Sequence, residues 1–259
     1  MSFLETDLPK VGKRVHRLGL ALNFGIEPSG VAAALERGLN YVFWTARDKK
    51  MVAPLKTALQ RNRERYVIAT GPTMGFFGGS FRRSAEKALR ELGTDYLDVF
   101  HLFWLGVGSS LRGATIDEMV KLKEEGKIRA IGASIHDRPR AGKLAEDSVL
   151  DLLMIRYNAA HPGAERDIFP HLEKRRPALV AYTATDWRKL LKRPRGWSDA
   201  VPTAADCYRF CLSSPSVDVV LCGPKDERQL DENLSGLMKG PLTKEEDTWM
   251  REFGRVVHG

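Results

Sequence analysis

The sequence predicts an α/β chain folded as a (β/α)8 TIM barrel: a closed ring of parallel strands with helices outside. Three observations carry this expectation. Short apolar runs alternate with helical patterns along the whole chain, there are eight of each, and no glycine-rich nucleotide fingerprint follows the first run. The runs fall at 18–22, 40–44, 66–70, 96–103, 128–133, 152–157, 178–182 and 217–222. Each is too short for an ordinary helix and reads as a strand buried on both faces.

The helical patterns between them are expected at 30–37, 51–61, 81–91, 116–125, 138–146, 165–174, 203–212 and 227–237. In 81–91, Phe81, Ala85, Ala88 and Leu89 form an apolar stripe, with Arg82, Arg83, Glu86 and Lys87 on the opposite face. Strand–helix alternation of this length selects the barrel. A doubly wound sheet would carry G-x-G-x-x-G after its first strand. Here that place is held by Asn23-Phe24-Gly25-Ile26-Glu27-Pro28. The residues before Leu18, with Gly12 between two short runs, suit a short N-terminal hairpin closing the barrel bottom. An extra C-terminal helix is expected at 244–256, with Thr243 as N-cap and Glu246 completing a capping box. No linker or composition shift divides the chain, so residues 1–259 read as one domain.

The bulk properties exclude more than they select. A chain of 259 residues buries enough surface to need no disulfide or metal. Its longest apolar runs are far short of a membrane span. The acidic opening Met1-Ser2-Phe3-Leu4-Glu5-Thr6-Asp7 does not resemble a secretory leader. Cys207, Cys211 and Cys222 form neither a disulfide framework nor a zinc site, so reduced thiols in a cytoplasmic protein are expected and no metal is. The net charge of +8 is dispersed over helices and loops, which suits a phosphate-bearing ligand or a solvated surface better than nucleic acid.

Four stretches resemble the aldo-keto reductase family, in order and on the matching elements. They are Gly38-Leu39-Asn40-Tyr41 at the second barrel strand, Leu92-Gly93-Thr94-Asp95-Tyr96-Leu97-Asp98 at the fourth, Lys127 to Ser134 at the fifth, and Gln229-Leu230-Asp231-Glu232-Asn233-Leu234 in the eighth helix. The resemblance implies a barrel that binds NADPH across its C-terminal mouth and reduces carbonyls. It also implies a working set of four residues: a tyrosine acid, a lysine and an aspartate that tune it, and a histidine that orients the carbonyl. A phenol with a pKa near 10 needs such neighbours to donate a proton at neutral pH.

At those positions this sequence departs. The aspartate falls on Phe43 or Trp44, the tyrosine on Asp48 or Lys49, the lysine on Gly71 and the histidine on Phe103. The cofactor region matches in part. The resemblance sets Ser134 beside the nicotinamide amide and Tyr182 under its ring. It sets Gly223, Gln229, Glu232 and Asn233 at the adenosine end. Lys225 could meet a phosphate at the following helix start.

Other polar residues are weighed against plainer roles. Arg156 and Asn158 leave a strand at the end where barrels place their sites, and Arg156 could fork onto an anion; a structural loop is the plainer account. Trp44 and Phe103 are expected to line an apolar pocket with Arg156 and Asn158. His136, Tyr157 and His161 are the candidates for a relocated proton donor, with His136 more simply an exposed loop residue. His101 is expected to be a hydrogen-bonded core residue. Residues 71–79, rich in glycine, look like a loop over the mouth.

Three readings remain open. The chain is a relative that binds a nicotinamide cofactor or similar ligand without the usual carbonyl reduction, an active oxidoreductase with relocated groups, or a non-catalytic binding or scaffold protein that retains the barrel alone; the expected partner is a small-molecule ligand.

Overall fold

The protein is represented by a computed structural model that describes residues 2–72 and 79–259. A hairpin comes first, β1 (Glu5–Leu8) and β2 (Lys13–His16), paired antiparallel with Thr6 opposite Val15. The barrel begins with β3 (Leu18–Ala21), α1 (Pro28–Glu36), β4 (Tyr41–Phe43), α2 (Val52–Arg61), β5 (Val67–Thr70), α3 (Ser80–Leu92), β6 (Leu97–Leu102) and α4 (Gly113–Glu124). It continues with β7 (Ile128–Ile135), α5 (Arg138–Glu146), β8 (Leu152–Arg156), α6 (Ala164–Asp167), β9 (Ala178–Tyr182), α7 (Ala204–Ser213), β10 (Val219–Cys222) and α8 (Glu227–Leu237). A final helix, α9 (Lys244–His258), packs outside. Strands β3 to β10 run parallel, each beside the next, and β10 returns to β3 to close the ring. The (β/α)8 TIM barrel, the N-terminal hairpin and the C-terminal helix are therefore all present.

Strand alternation divides the buried residues into two layers. On β8 and just beyond, Leu153, Ile155 and Tyr157 pack outward under the helices. Leu152 and Met154 point into the barrel. Leu8, Val11 and Val15 of the hairpin join the inner layer, plugging the N-terminal end. Capping follows the sequence. Thr243 accepts from the Glu246 N–H while the Glu246 carboxylate accepts from Thr243 N–H, starting α9. Gly93 ends α3 at φ 63°, where a Cβ would be strained.

One element is shorter than the periodicity suggests. The expected helix over 165–174 is reduced to α6 and a 3-10 turn, Phe169–Leu172. Pro170 has no N–H to continue the helical ladder.

The base is stitched by buried charge. The fully buried Asp98 accepts from Arg63 Nη2 at 2.7 Å and from the Ile68 N–H at 2.9 Å. Lys13 Nζ lies 2.9 Å from its other oxygen, as an ion pair rather than a well-angled hydrogen bond. Asn40 donates to Arg14 O and Arg65 O and accepts from the His16 N–H, tying hairpin to barrel. All three cysteines are free and buried. Among the described residues no helix is long and apolar enough to cross a membrane.

Candidate functional site at the barrel mouth

The strands end at a cleft of about 1900 Å³ on the C-terminal face. The inward positions that top each strand set its floor. Phe43 of β4 and Phe103 after β6 meet edge to face, ring centroids 5.5 Å apart. His101 stacks beneath Phe103, 5.5 Å between centroids and 11° between planes.

His101 departs from the expectation of a hydrogen-bonded core residue. It is fully buried, and neither ring nitrogen finds a partner among the described residues. Burial alone pushes its pKa down to about 3, so the ring is neutral. Two glycines make its room. A Cβ on Gly132 would lie 2.7 Å from His101 Nδ1, and one on Gly71 would lie 2.3 Å from the His101 carbonyl oxygen. Where the resemblance implies a lysine, the backbone leaves no space for any side chain.

The opposite wall is polar. Ser134 lies on β7, and its Oγ accepts from the Trp104 N–H at 2.8 Å, leaving the hydroxyl proton free to donate. His136 and Tyr182 hydrogen-bond at 3.0 Å and meet edge-on. Burial raises the Tyr182 phenol to about 12, and the Arg156 charge counteracts it. His136 is pushed below its ordinary value by burial and by Arg156. Further round the rim, Gly223, Lys225, Gln229, Glu232 and Asn233 line the same cleft. Gln229 accepts from the Lys225 N–H at 2.9 Å, and Asp226 caps α8 by accepting from the Gln229 N–H. A Cβ on Gly223 would lie 2.7 Å from Phe24 Cβ, so its absence keeps this wall open.

The backbone here is strained. Trp104, Thr183, Asp186, Trp187 and Arg188 all have positive φ, between 45° and 71°. Among the described non-glycine residues only Arg176 shares that conformation elsewhere. Such outliers persist only where the surroundings enforce them, and they cluster at binding sites.

Four residues from the sequence reading are placed away from this cleft. Trp44 is fully buried in the outer layer, with Nε1 donating to Asp48 O; Phe43 and Thr45 face the cleft instead. The reason is the pleat, which turns neighbours on β4 to opposite faces. Tyr157 also points outward, donating to Glu165 at 2.7 Å, with its pKa driven up by burial. Asn158 is buried and holds the loop: its side-chain oxygen accepts from the Ala160 and His161 N–H groups, and its amide donates to Thr183 O. His161 lies 3.3 Å from Asp186 and beside the His258 ring, on a second cleft of about 1090 Å³. Arg156 and His136 border both clefts. Of residues 71–79, positions 73–78 lie outside the described residues.

The sequence reading passed over Trp187 and Phe24 as a pair; their rings meet edge-on at 5.7 Å on the rim. Their exposure, 62% and 47%, is high for such large apolar groups. No local pattern signals that contact, because the two lie on different loops.

The aldo/keto reductase family model matches residues 49–195, more than half of the chain. The chain belongs to the aldo/keto reductase family. An L-galactose dehydrogenase from Arabidopsis thaliana is 23% identical, covering 84% of each chain. A methylglyoxal reductase from Escherichia coli (strain K12) is 28% identical over 69% of this chain and 65% of its own. Among solved structures, an aldo-keto reductase from Bacillus halodurans in its holo form superposes with a TM-score of 0.78 at 21% identity, covering 96% of this chain and 95% of that one. One from Klebsiella pneumoniae, in complex with NADP and acetate, gives 0.77 at 21% identity, covering 94% and 93%. At that identity the superposition speaks for the shared barrel.

Proposed function

We propose that this family member binds NADPH across its barrel mouth but lacks the family's ordinary carbonyl reduction. In this reading the nicotinamide lies at Tyr182 and Ser134, and the adenosine end runs along Gly223, Gln229, Glu232 and Asn233 with Lys225 at a phosphate. The residues present fit such a group. The cleft, about 1900 Å³, is larger in volume than a drug-sized ligand needs. An aromatic face and a free hydroxyl proton stand at one end, and an exposed lysine near a helix start at the other. A bound nicotinamide would supply hydride. This chain's own residues would orient it and exclude water.

The observation that carries the second half is the apolar top layer of β4 to β6. An alkoxide developing on a carbonyl there needs a donor or a cation within hydrogen-bond reach. Phe43, Gly71 and Phe103 offer neither, and Asp48 is an acid already bonded to the Thr45 hydroxyl. The experiment is titration of the purified protein with NADPH and NADH. Tryptophan emission should quench and the melting temperature should rise by ligand linkage. No response at millimolar cofactor would overturn the reading and leave a different ligand or the scaffold role.

A second reading is an active oxidoreductase with His136 as the relocated donor, favoured by its place on the cleft and its bond to Tyr182. Its lowered pKa argues against it, because a ring already neutral at pH 7 has little acid to give. Turnover that His136→Gln abolishes would establish it. A one-domain cytoplasmic protein with reduced thiols completes the proposal.

A further inference from the structure

We infer that Arg156 makes the mouth selective for a small ligand bearing a carboxylate or phosphate group, distinct from the cofactor. The inference rests on the mouth being a ligand cleft, as proposed above. The strand register brings the group together: Ser134 pairs with Met154, and Arg156 with Tyr182. His136, Arg156 and Tyr182 therefore top three successive strands. Alternation on β8 sends Met154 inward, and Arg156, two residues on, follows it into the mouth.

What sets Arg156 apart from the exposed cations of the cleft is partial burial combined with the lack of a counter-ion among the described residues. On the adjoining wall, Arg138 and Arg166 are held by Asp167, and Arg251 by Glu165 and Asp247. Arg156 is half-buried, yet among the described residues its guanidinium makes no hydrogen bond or ion pair. The nearby acid, Asp186, is engaged by His161 and Lys189. Its titratable neighbours His136, His161 and Tyr182 supply no negative charge. Burial and Arg156 itself keep His136 and His161 toward the neutral form, and Tyr182 stays protonated. A partly desolvated cation without a partner is unfavourable. An oxyanion entering the cleft offsets that penalty, and the planar guanidinium fork matches a carboxylate or phosphate through two parallel bonds. The apolar Phe43–Phe103 floor opposite would take the uncharged remainder of such a molecule.

The test uses propionate, its neutral isostere propionamide, and inorganic phosphate, titrated calorimetrically into the whole protein. NADPH is titrated separately. Propionate and phosphate should bind saturably, with propionamide weaker by roughly ten- to a hundredfold. Arg156→Met should remove that discrimination, and Arg156→Lys, which keeps the charge but not the fork, should fall between. NADPH affinity should be unchanged in both variants. Propionate should also raise the His136 titration midpoint, read by NMR, in the wild type but not in Arg156→Met. Equal binding of propionate and propionamide, or binding of neither, would overturn the inference. So would a matching loss of NADPH affinity in the variants, because the guanidinium would then serve a cofactor phosphate. If the wild type discriminates propionate yet takes no NADPH, the cofactor reading fails and this one stands. If Arg156→Met does not fold, the wild-type discrimination and Arg156→Lys still decide.

Discussion

The base and the mouth of this barrel follow opposite rules. At the base Asp98 is answered by Lys13, Arg63 and the Ile68 amide, and the Asn40 amide by three backbone groups. At the mouth, among the described residues, a half-buried arginine stands without an acid, a buried histidine stands without a hydrogen bond, and five non-glycine residues hold positive φ. The base is built to be stable alone. The mouth carries features that a ligand would complete, which is where a barrel locates function.

The contrast can be broken first at the chemistry. With ordinary aldehydes and NADPH, turnover should fall short of a tetrad-bearing enzyme by about 10² to 10⁴, the usual contribution of a general acid. Spectrophotometry of NADPH oxidation checks this, and brisk oxidation would show that the mouth keeps a donor. Phe103→His should restore little, because the missing groups act together.

The next effect belongs to the base. Asp98→Ala should destabilise the fold by about 3–5 kcal/mol, because it removes the buried acid shared by Lys13 and Arg63 and orphans the Ile68 N–H. Urea unfolding measures it. Removing the unpaired mouth residue by Arg156→Met should leave the urea midpoint nearly unchanged. Similar losses for both would erase the distinction.

Gly71→Ala should cost about 1–3 kcal/mol, since the new Cβ meets the His101 carbonyl oxygen at 2.3 Å and backbone cannot swing aside. A matched substitution at exposed Gly113, where a Cβ meets nothing within 4 Å, is the control. A tolerated Gly71→Ala would mean that the β5–β6 edge yields more readily than its packing suggests.

The effect that is smallest near neutral pH is a slope. His101 titrates at about 3 when folded against 6.5 when free. As pH falls below 6.5 the unfolded chain takes up a proton that the folded one refuses. Stability is therefore full above 6.5 and falls by about 1.4 kcal/mol per pH unit, flattening near the folded value. His101→Leu should remove this contribution and leave stability at pH 7 unchanged or higher, because two unsatisfied nitrogens go with it. His136 and His161, shifted the same way, leave a residual slope. Unfolding midpoints between pH 7 and 5 for both proteins decide it.

Most of the architecture could be read from the chain because the code for it is local. Apolar runs fix strands, stripes such as Phe81, Ala85 and Ala88 fix the buried helix face, and Thr243 with Glu246 fixes a helix start. The family resemblance was legible for a related reason. Asn40 and Asp98, within its motifs, bond to backbone and charges at the base, so what they hold together is the barrel itself. The empty lysine position, Gly71, was equally plain.

What sequence spacing could not give was the facing of each residue at the mouth. Phe43 rather than Trp44 reaches the cleft because of where the β4 pleat falls, a matter of one residue. Tyr157 and Asn158 look like site residues by position, yet one turns under the helices and the other is consumed by loop amides. His101 gave no sign of being orphaned, since that depends on Gly71 and Gly132 approaching it from neighbouring strands. The sequence by itself determined the barrel and put Phe43, Gly71 and Phe103 where the resemblance leads one to expect charged or polar groups, because periodicity and residue identity are properties of one strand at a time. Only the tertiary structure decided that Arg156 stands unpaired among the described residues, between His136 and Tyr182, because a counter-ion's absence depends on every element packed around it.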